Sequence, residues 1–203
     1  MLATLVRYFL LGVVRVLTGS QARWLGCPPK AEQRIYFANH QSHADLVLLW
    51  AALPHELRSV TRAIAARDYW TKTPLKQWLT TRVFHVIYVS RERSADEDPL
   101  EPLIEALENG DSIILFPEGT RGHTGDPQPF KAGLYNLAQR FPKVVLVPAW
   151  INNVQHVLPK GEVVPVPVLC SVTFGAPIAL QAGEAHRSFL ERARAAVLAL
   201  RDA

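Results

Sequence analysis

The sequence predicts an α/β fold: a single layered αβα domain with a mixed, largely parallel sheet of about six or seven strands, plus an N-terminal amphipathic helix. Three observations predict it. Short β-branched or aromatic runs alternate with segments of helical length, which is the pattern of layered α/β units. The 203 residues are 49% hydrophobic and 20% charged and include five Trp, enough for one core and too apolar for disorder. Residues 1–18 form an apolar run broken only by Arg7 and Arg15, unlike any helix-length segment that follows.

Taken in order, Arg34-Ile35-Tyr36-Phe37-Ala38 reads as a buried strand. Residues 46–53 continue as a helix ended by Pro54. Residues 60–65 predict a second strand, 69–80 a helical stretch, and the β-branched and aromatic run 83–89 a third strand. A polar loop at 93–99 leads into a helix over 100–108 that stops at Asn109-Gly110. Residues 112–116 predict a fourth strand, followed by a long loop at 117–130 of the kind that usually carries function. Helix 131–140, strands 144–147 and 169–174, and a closing helix over 186–200 complete the pattern.

The formal net charge is +4, with 22 Lys and Arg against 18 Asp and Glu. The first thirty residues hold Arg7, Arg15, Arg23 and Lys30 and no acid, so the remainder is neutral and is not a generic polyanion binder. The chain therefore divides into residues 1–30, a membrane-associating apolar and basic helix with a linker, and residues 31–203, the main domain. No uncharged run approaches the ~20 apolar residues of a transmembrane helix. A secretory signal is disfavoured because no charged region precedes the apolar stretch and Arg15 sits within it. Arg7 and Arg15 lie about 80° apart in helical phase, so the helix either packs on the domain or rests in a membrane interface with its arginines at the headgroups. Cys27 and Cys170 form neither a CxxC pair nor a disulfide framework, and a reducing compartment is expected.

Two constellations carry chemistry. Asn39-His40-Gln41-Ser42-His43-Ala44-Asp45 lies between a strand and a helix. Ser42-x-x-Asp45 is a capping-box pattern that starts the helix at Ser42. His40 then falls in the preceding loop, and Asp45 in the first turn can reach back to it. A carboxylate on one imidazole nitrogen fixes the tautomer and leaves the other nitrogen as a base. On a continuous helix the pair would point apart, so the dyad needs the loop-to-helix break. The second constellation, Phe116-Pro117-Glu118-Gly119-Thr120-Arg121, also ends a strand, with glycine allowing close backbone approach and arginine offering a fork for phosphate. Lys131 and Gly133 follow at a loop-to-helix junction. His40, His43 and Asp45 also suggest a metal cluster, but a metal would compete with the base and no Cys pair or third His is near in sequence. His85 reads as a core residue, His123 as a solvated one, and the tryptophans chiefly as packing, with Trp24 able to mark an interface.

The pair His40-x4-Asp45 followed by FPEGTR resembles the first and third blocks of the glycerolipid acyltransferases, most like the 1-acyl-sn-glycerol-3-phosphate (lysophosphatidate) acyltransferases. Val89-Ser90-Arg91 and Val147-Pro148-Ala149-Trp150 fit the second and fourth blocks in order, with departures at Ser90 and Gly122. The resemblance spans roughly residues 33–153 and makes 31–203 an acyltransferase domain. It implies an O-acyltransferase moving a fatty acyl group from an acyl thioester to the hydroxyl of a lysophospholipid, with His40 and Asp45 catalytic. Arg121, Arg91 and Lys131 would hold the acceptor phosphate, with Glu118, Gly119 and Thr120 at the same substrate site. Glu118 has a second reading, as a support of its turn. A thioester is already activated, so neither an enzyme nucleophile, a metal nor another cofactor is required beyond acyl carrier protein or coenzyme A as donor. No G-x-S-x-G elbow is present. Oxyanion donors are sought in backbone N–H groups near Gly119 or a side chain near the dyad. The expected partners are the lysophospholipid, the thioester and a membrane surface, without nucleic acid, at the cytoplasmic face of the cell membrane. Acylation of another lyso-lipid or a lipid-linked amino acid, and a non-catalytic lipid-binding module, are the alternatives.

Overall fold

In the computed structural model, residues 2–19, 21–42, 44–84, 86–89, 98–122, 125–152 and 169–203 are described. Among them, seven strands form one sheet: β1 (Gln21–Trp24), β2 (Arg34–Ala38), β3 (Thr61–Ala66), β4 (Ile87–Val89), β5 (Ser112–Leu115), β6 (Val145–Asn152) and β7 (Ser171–Phe174). Their order is β1-β7-β6-β2-β5-β3-β4, parallel throughout except between β6 and β7. The helices are α1 (Leu2–Thr18), α2 (Asp45–Ala52), α3 (His55–Ser59), α4 (Arg67–Trp70), α5 (Pro74–Trp78), α6 (Glu101–Glu108), α7 (Gly133–Arg140) and α8 (His186–Leu198). This is the expected α/β architecture.

Alternation along the central strands builds two cores. Tyr36, Ala38, Ile114, Val147 and Ile151 face a cluster with α2 and Leu11 of α1. Ile35, Phe37, Ile113, Leu146 and Trp150 face the opposite cluster, built with α6, α7 and α8. All five residues of β2 are buried, as befits a parallel strand covered on both faces. Its first residue, Arg34, is buried with them. Its guanidinium donates to Glu32 (2.6 Å) and to the Pro28 carbonyl (2.9 Å), which secures the chain entering the sheet.

Three sequence expectations are corrected. Of the described residues between 83 and 89, Ile87–Val89 is strand, and Leu79–Val83 is a π turn. There Phe84 N–H bonds the Leu79 carbonyl and Val86 N–H the Thr80 carbonyl, so local bonds replace a sheet ladder. Thr80 also hydrogen-bonds the Tyr88 hydroxyl, and Val83 is fully buried, so β-branched residues serve a packed turn. Residues 21–24, expected within the linker, form the edge strand β1 beside β7, with Trp24 stacked on Phe174 at 4.0 Å. The strand expected at 144–147 runs on to Asn152, because its second half pairs with β7.

The N-terminal helix packs on the domain, one of its two expected placements, through Leu11 in the core. Arg7 does not face outward with Arg15 but donates from Nε to the Val83 carbonyl (3.0 Å), fastening α1 to the π turn. The outer face of α1 is apolar, with Leu2, Leu5, Phe9 and Val16 between 63% and 84% exposed. No helix among the described residues is long and apolar enough to cross a membrane.

Cys27 and Cys170 are buried and form no disulfide. Burial pushes both above their ordinary pKa, Cys170 to about 11 with the Asp45 charge adding to the effect. Neither should react with a thiol reagent at pH 8 in the folded protein, whereas both should react in denaturant, as intact mass would record.

Candidate active site

The two motifs meet because β2 and β5 are parallel neighbours in register, with Phe37 opposite Leu115. Both strands stop at the same edge, so the segments leaving their carboxyl ends run side by side, where open α/β sheets place ligands. Asn39 fixes the exit from β2. Its buried amide donates to the Ile151 carbonyl (3.0 Å) and accepts from the Ile151 N–H (2.8 Å), continuing the pairing with β6 one residue past the strand.

His40 follows. Its Nδ1 lies 2.8 Å from Oδ2 of Asp45, the fully buried first residue of α2. The same oxygen accepts the N–H groups of Gln41 (2.6 Å) and Ser42 (2.8 Å), so the intervening loop wraps around the carboxylate. Asp45 Oδ1 is buried without a partner among the described residues. The predicted capping box forms only in half. The carboxylate takes the Ser42 N–H, but Ser42 Oγ accepts from Ala44 (3.2 Å), and the helix begins at Asp45. With Nδ1 committed to Asp45, Nε2 is the imidazole nitrogen left for chemistry. The ring stacks on Phe116 at 4.3 Å and keeps 20% exposure.

The loop after β5 grips the backbone of the same histidine. Glu118 Oε1 accepts the His40 N–H (2.7 Å), and the His40 carbonyl accepts the Gly122 N–H (2.8 Å). Glu118 Oε2 accepts the Gln128 N–H (2.7 Å), and the side chain is 2% exposed. Burial raises the Glu118 pKa against the lowering effect of these two amides. Both oxygens accept backbone amides, the arrangement the turn-supporting reading of Glu118 expects.

Gly119 adopts a φ of +68°, and its N–H bonds the Phe116 carbonyl (3.0 Å), closing the turn. It is thus unavailable as the oxyanion donor sought there. Lys131 crosses Gly119 so closely that an added Cβ would lie 2.6 Å from Nζ. Gly119, Thr120, Arg121 and Lys131 are exposed along this rim. Arg91, with Ser90, His43, His85 and His123, lies outside the described residues. Sequence reasoning missed Phe116 as the ring beneath His40 and Gln128 as a partner of Glu118. Phe116 stood within the quoted motif, while nothing in the sequence marked Gln128.

The model of the Acyltransferase family matches residues 27–152, more than half of the chain, which takes in His40, Asp45, the FPEGTR loop and Lys131. The chain belongs to the acyltransferase family. Among curated relatives, this acyltransferase is 33% identical over 138 residues to human 1-acyl-sn-glycerol-3-phosphate acyltransferase alpha, covering 66% of this chain and 46% of that protein. It is 27% identical over 148 residues to the 1-acyl-sn-glycerol-3-phosphate acyltransferase of Saccharomyces cerevisiae, covering 70% and 46%. The chain thus spans about half the length of the curated relatives it matches. Its fold matches the crystal structure of the 1-acyl-sn-glycerophosphate (LPA) acyltransferase PlsC from Thermotoga maritima, with a TM-score of 0.67 and 24% identity, over 96% of this chain and 79% of that one.

Two glycines of this acyltransferase should respond differently to Ala. At Gly119 the positive φ and the Lys131 side chain both oppose a Cβ, so Gly119→Ala should cost about 1–3 kcal/mol. At Gly122 the nearest atom would be at an ordinary 3.4 Å, so Gly122→Ala should cost under about 1 kcal/mol. Urea denaturation of both variants checks the contrast.

Proposed function

We propose that this protein moves a fatty acyl group from an acyl thioester to the free hydroxyl of 1-acyl-sn-glycerol-3-phosphate, giving phosphatidate. The observation that carries the reading is the His40–Asp45 pair, held at the carboxyl edge of the sheet by the FPEGTR loop. The printed names of the relatives supply the substrate class.

In this mechanism Nε2 of His40 removes the proton from the acceptor hydroxyl as its oxygen attacks the thioester carbonyl. Asp45 holds the ring in the required tautomer and stabilises the imidazolium that forms. The tetrahedral intermediate then collapses. The carbon–sulfur bond breaks, the departing thiolate takes the proton from Nε2, and ester and free thiol leave with the histidine restored. An alcohol needs such a base and a thioester needs no further activation, so the chain's own residues suffice, with acyl carrier protein or coenzyme A as donor. Arg121 and Lys131, exposed on the rim, and Arg91 hold the acceptor phosphate as forked and point charges. Among the described residues, the N–H groups of Thr120 and Arg121 make no protein hydrogen bond, which leaves them as oxyanion donors in place of Gly119. The apolar outer face of α1 rests in the lipid surface at the cytoplasmic face of the membrane, bringing the site to its acceptor.

His40→Ala should lower acyl transfer by about 10²–10⁴-fold while leaving the melting temperature nearly unchanged; transfer at the wild-type rate would refute the mechanism. Arg121→Ala should raise the acceptor KM more than it lowers kcat, and an unchanged KM removes Arg121 from the phosphate site. Replacing Leu5 and Phe9 together by Ser should reduce flotation with anionic liposomes, leaving activity on a soluble short-chain acceptor intact.

A further inference from the structure

Residues 125–128 border the site through hydrogen bonds to Gln41 and Glu118. They are held from outside the segment that the family model matches. In α8, Arg194 Nε donates to the Pro127 carbonyl (2.8 Å). Arg201, just past the end of α8, donates from Nη2 to the Gly125 carbonyl (3.1 Å) and pairs with the Asp126 carboxylate. Its guanidinium also lies over the Trp150 ring, 5.0 Å from the centroid. Three consecutive residues of the loop are thus bonded to two arginines. The next residue, Gln128, gives its N–H to Glu118 Oε2, and Glu118 Oε1 takes the His40 N–H. From the other direction Gln41 Nε2 donates to the Gly125 carbonyl (3.3 Å). The hydrogen bonds form one unbroken path from the C-terminal helix to the backbone of the dyad histidine.

We propose that Arg194 and Arg201 are positioning residues for acyl transfer: by holding residues 125–127 they keep the Gln128 N–H on Glu118, and through Glu118 they hold His40 in place. The proposal rests on His40 being the base. A surface pair such as Arg201–Asp126 contributes little stability alone; the pair matters through the geometry it fixes. Glu118 is a buried carboxylate with two amide donors, and losing one leaves an oxygen without its bond. The carboxylate then turns or takes up a proton, and the His40 amide loses its anchor. A small displacement of a base from its proton is costly in rate, and it acts on turnover, since the bonds of both arginines go to residues 125–127.

The test compares the full-length protein with Arg194→Ala, Arg201→Ala, their double variant and Arg194→Lys, all well below their melting temperatures. The double variant should lose about tenfold in kcat with KM for acceptor and donor within twofold. Arg194→Lys, whose ammonium can still donate to the Pro127 carbonyl, should keep at least half the activity. Hydrogen exchange of the Gln128 amide should accelerate at least tenfold in the double variant, while the β5 amides stay protected. Wild-type kcat in the double variant, a change confined to KM, or an unchanged Gln128 amide overturns the proposal. His40→Ala is run alongside. If it keeps wild-type activity, the reading of His40 as the base has failed, whereas an inactive His40→Ala with a fully active double variant condemns only the positioning role.

Discussion

The parallel register of β2 with β5 is the constraint on which the site depends. Pairing Phe37 with Leu115 makes two strands of unrelated sequence end level with each other. The motif that continues one can then bond the backbone of the motif that continues the other. A shift of one residue would turn Tyr36 and Ile114 toward the wrong core, so the burial that fixes the fold also fixes the site. The first residues beyond the strands extend this logic. Asn39 carries the β2–β6 pairing one step further with its side chain, and Phe116 offers its ring to the imidazole. The pair is therefore attached to β2, buried at every residue, and not to a free loop.

Two buried carboxylates divide the work of holding one histidine. Asp45 acts on the ring, through Nδ1, and on the two loop amides between itself and His40. Glu118 acts on the main chain, through the His40 N–H. Ring direction and backbone position are separate degrees of freedom, and the general-base role proposed for His40 needs both fixed. The environments suit the tasks. Asp45 gathers three donors on one oxygen at the first residue of a helix. Glu118 has only two amides and is pushed toward the protonated form by burial. Its hold on His40 is accordingly the more sensitive of the two to anything that moves the Gln128 N–H.

The layered fold and the pairing of His40 with Asp45 were legible because they are local. Strand runs announce themselves by composition, and an aspartate in the first turn of a helix reaches only a few residues back. The roles that depend on distant contacts were not legible. The run 83–89 has strand composition, yet a π turn fits there because Arg7, more than seventy residues upstream, donates to the Val83 carbonyl. Residues 21–24 are too polar to read as a strand and are one only because β7 is beside them. Glu118 is the instructive case. Its place in FPEGTR reads as a substrate ligand or as a support for the turn, and the folded partners, one 78 residues away in sequence, fit the second.

The N-terminal charge invites a related revision. Four basic residues and no acid in the first thirty positions read as cations presented to a lipid surface. In the folded chain they divide. Arg7 is turned inward to main-chain carbonyls. Arg15 stays exposed, yet close enough to Arg58 that its charge, after burial, helps lower the pKa of that buried arginine. Arg58 in turn donates to the Trp50 and Leu53 carbonyls at the end of α2, the helix that Asp45 begins. Part of the basic excess is therefore structural, holding α1 against the domain. What α1 presents outward is apolar surface, from Leu2 to Val16. Association with lipid through this helix would then depend mainly on buried apolar area and only secondarily on charge, and so would resist salt more than the sequence alone suggests.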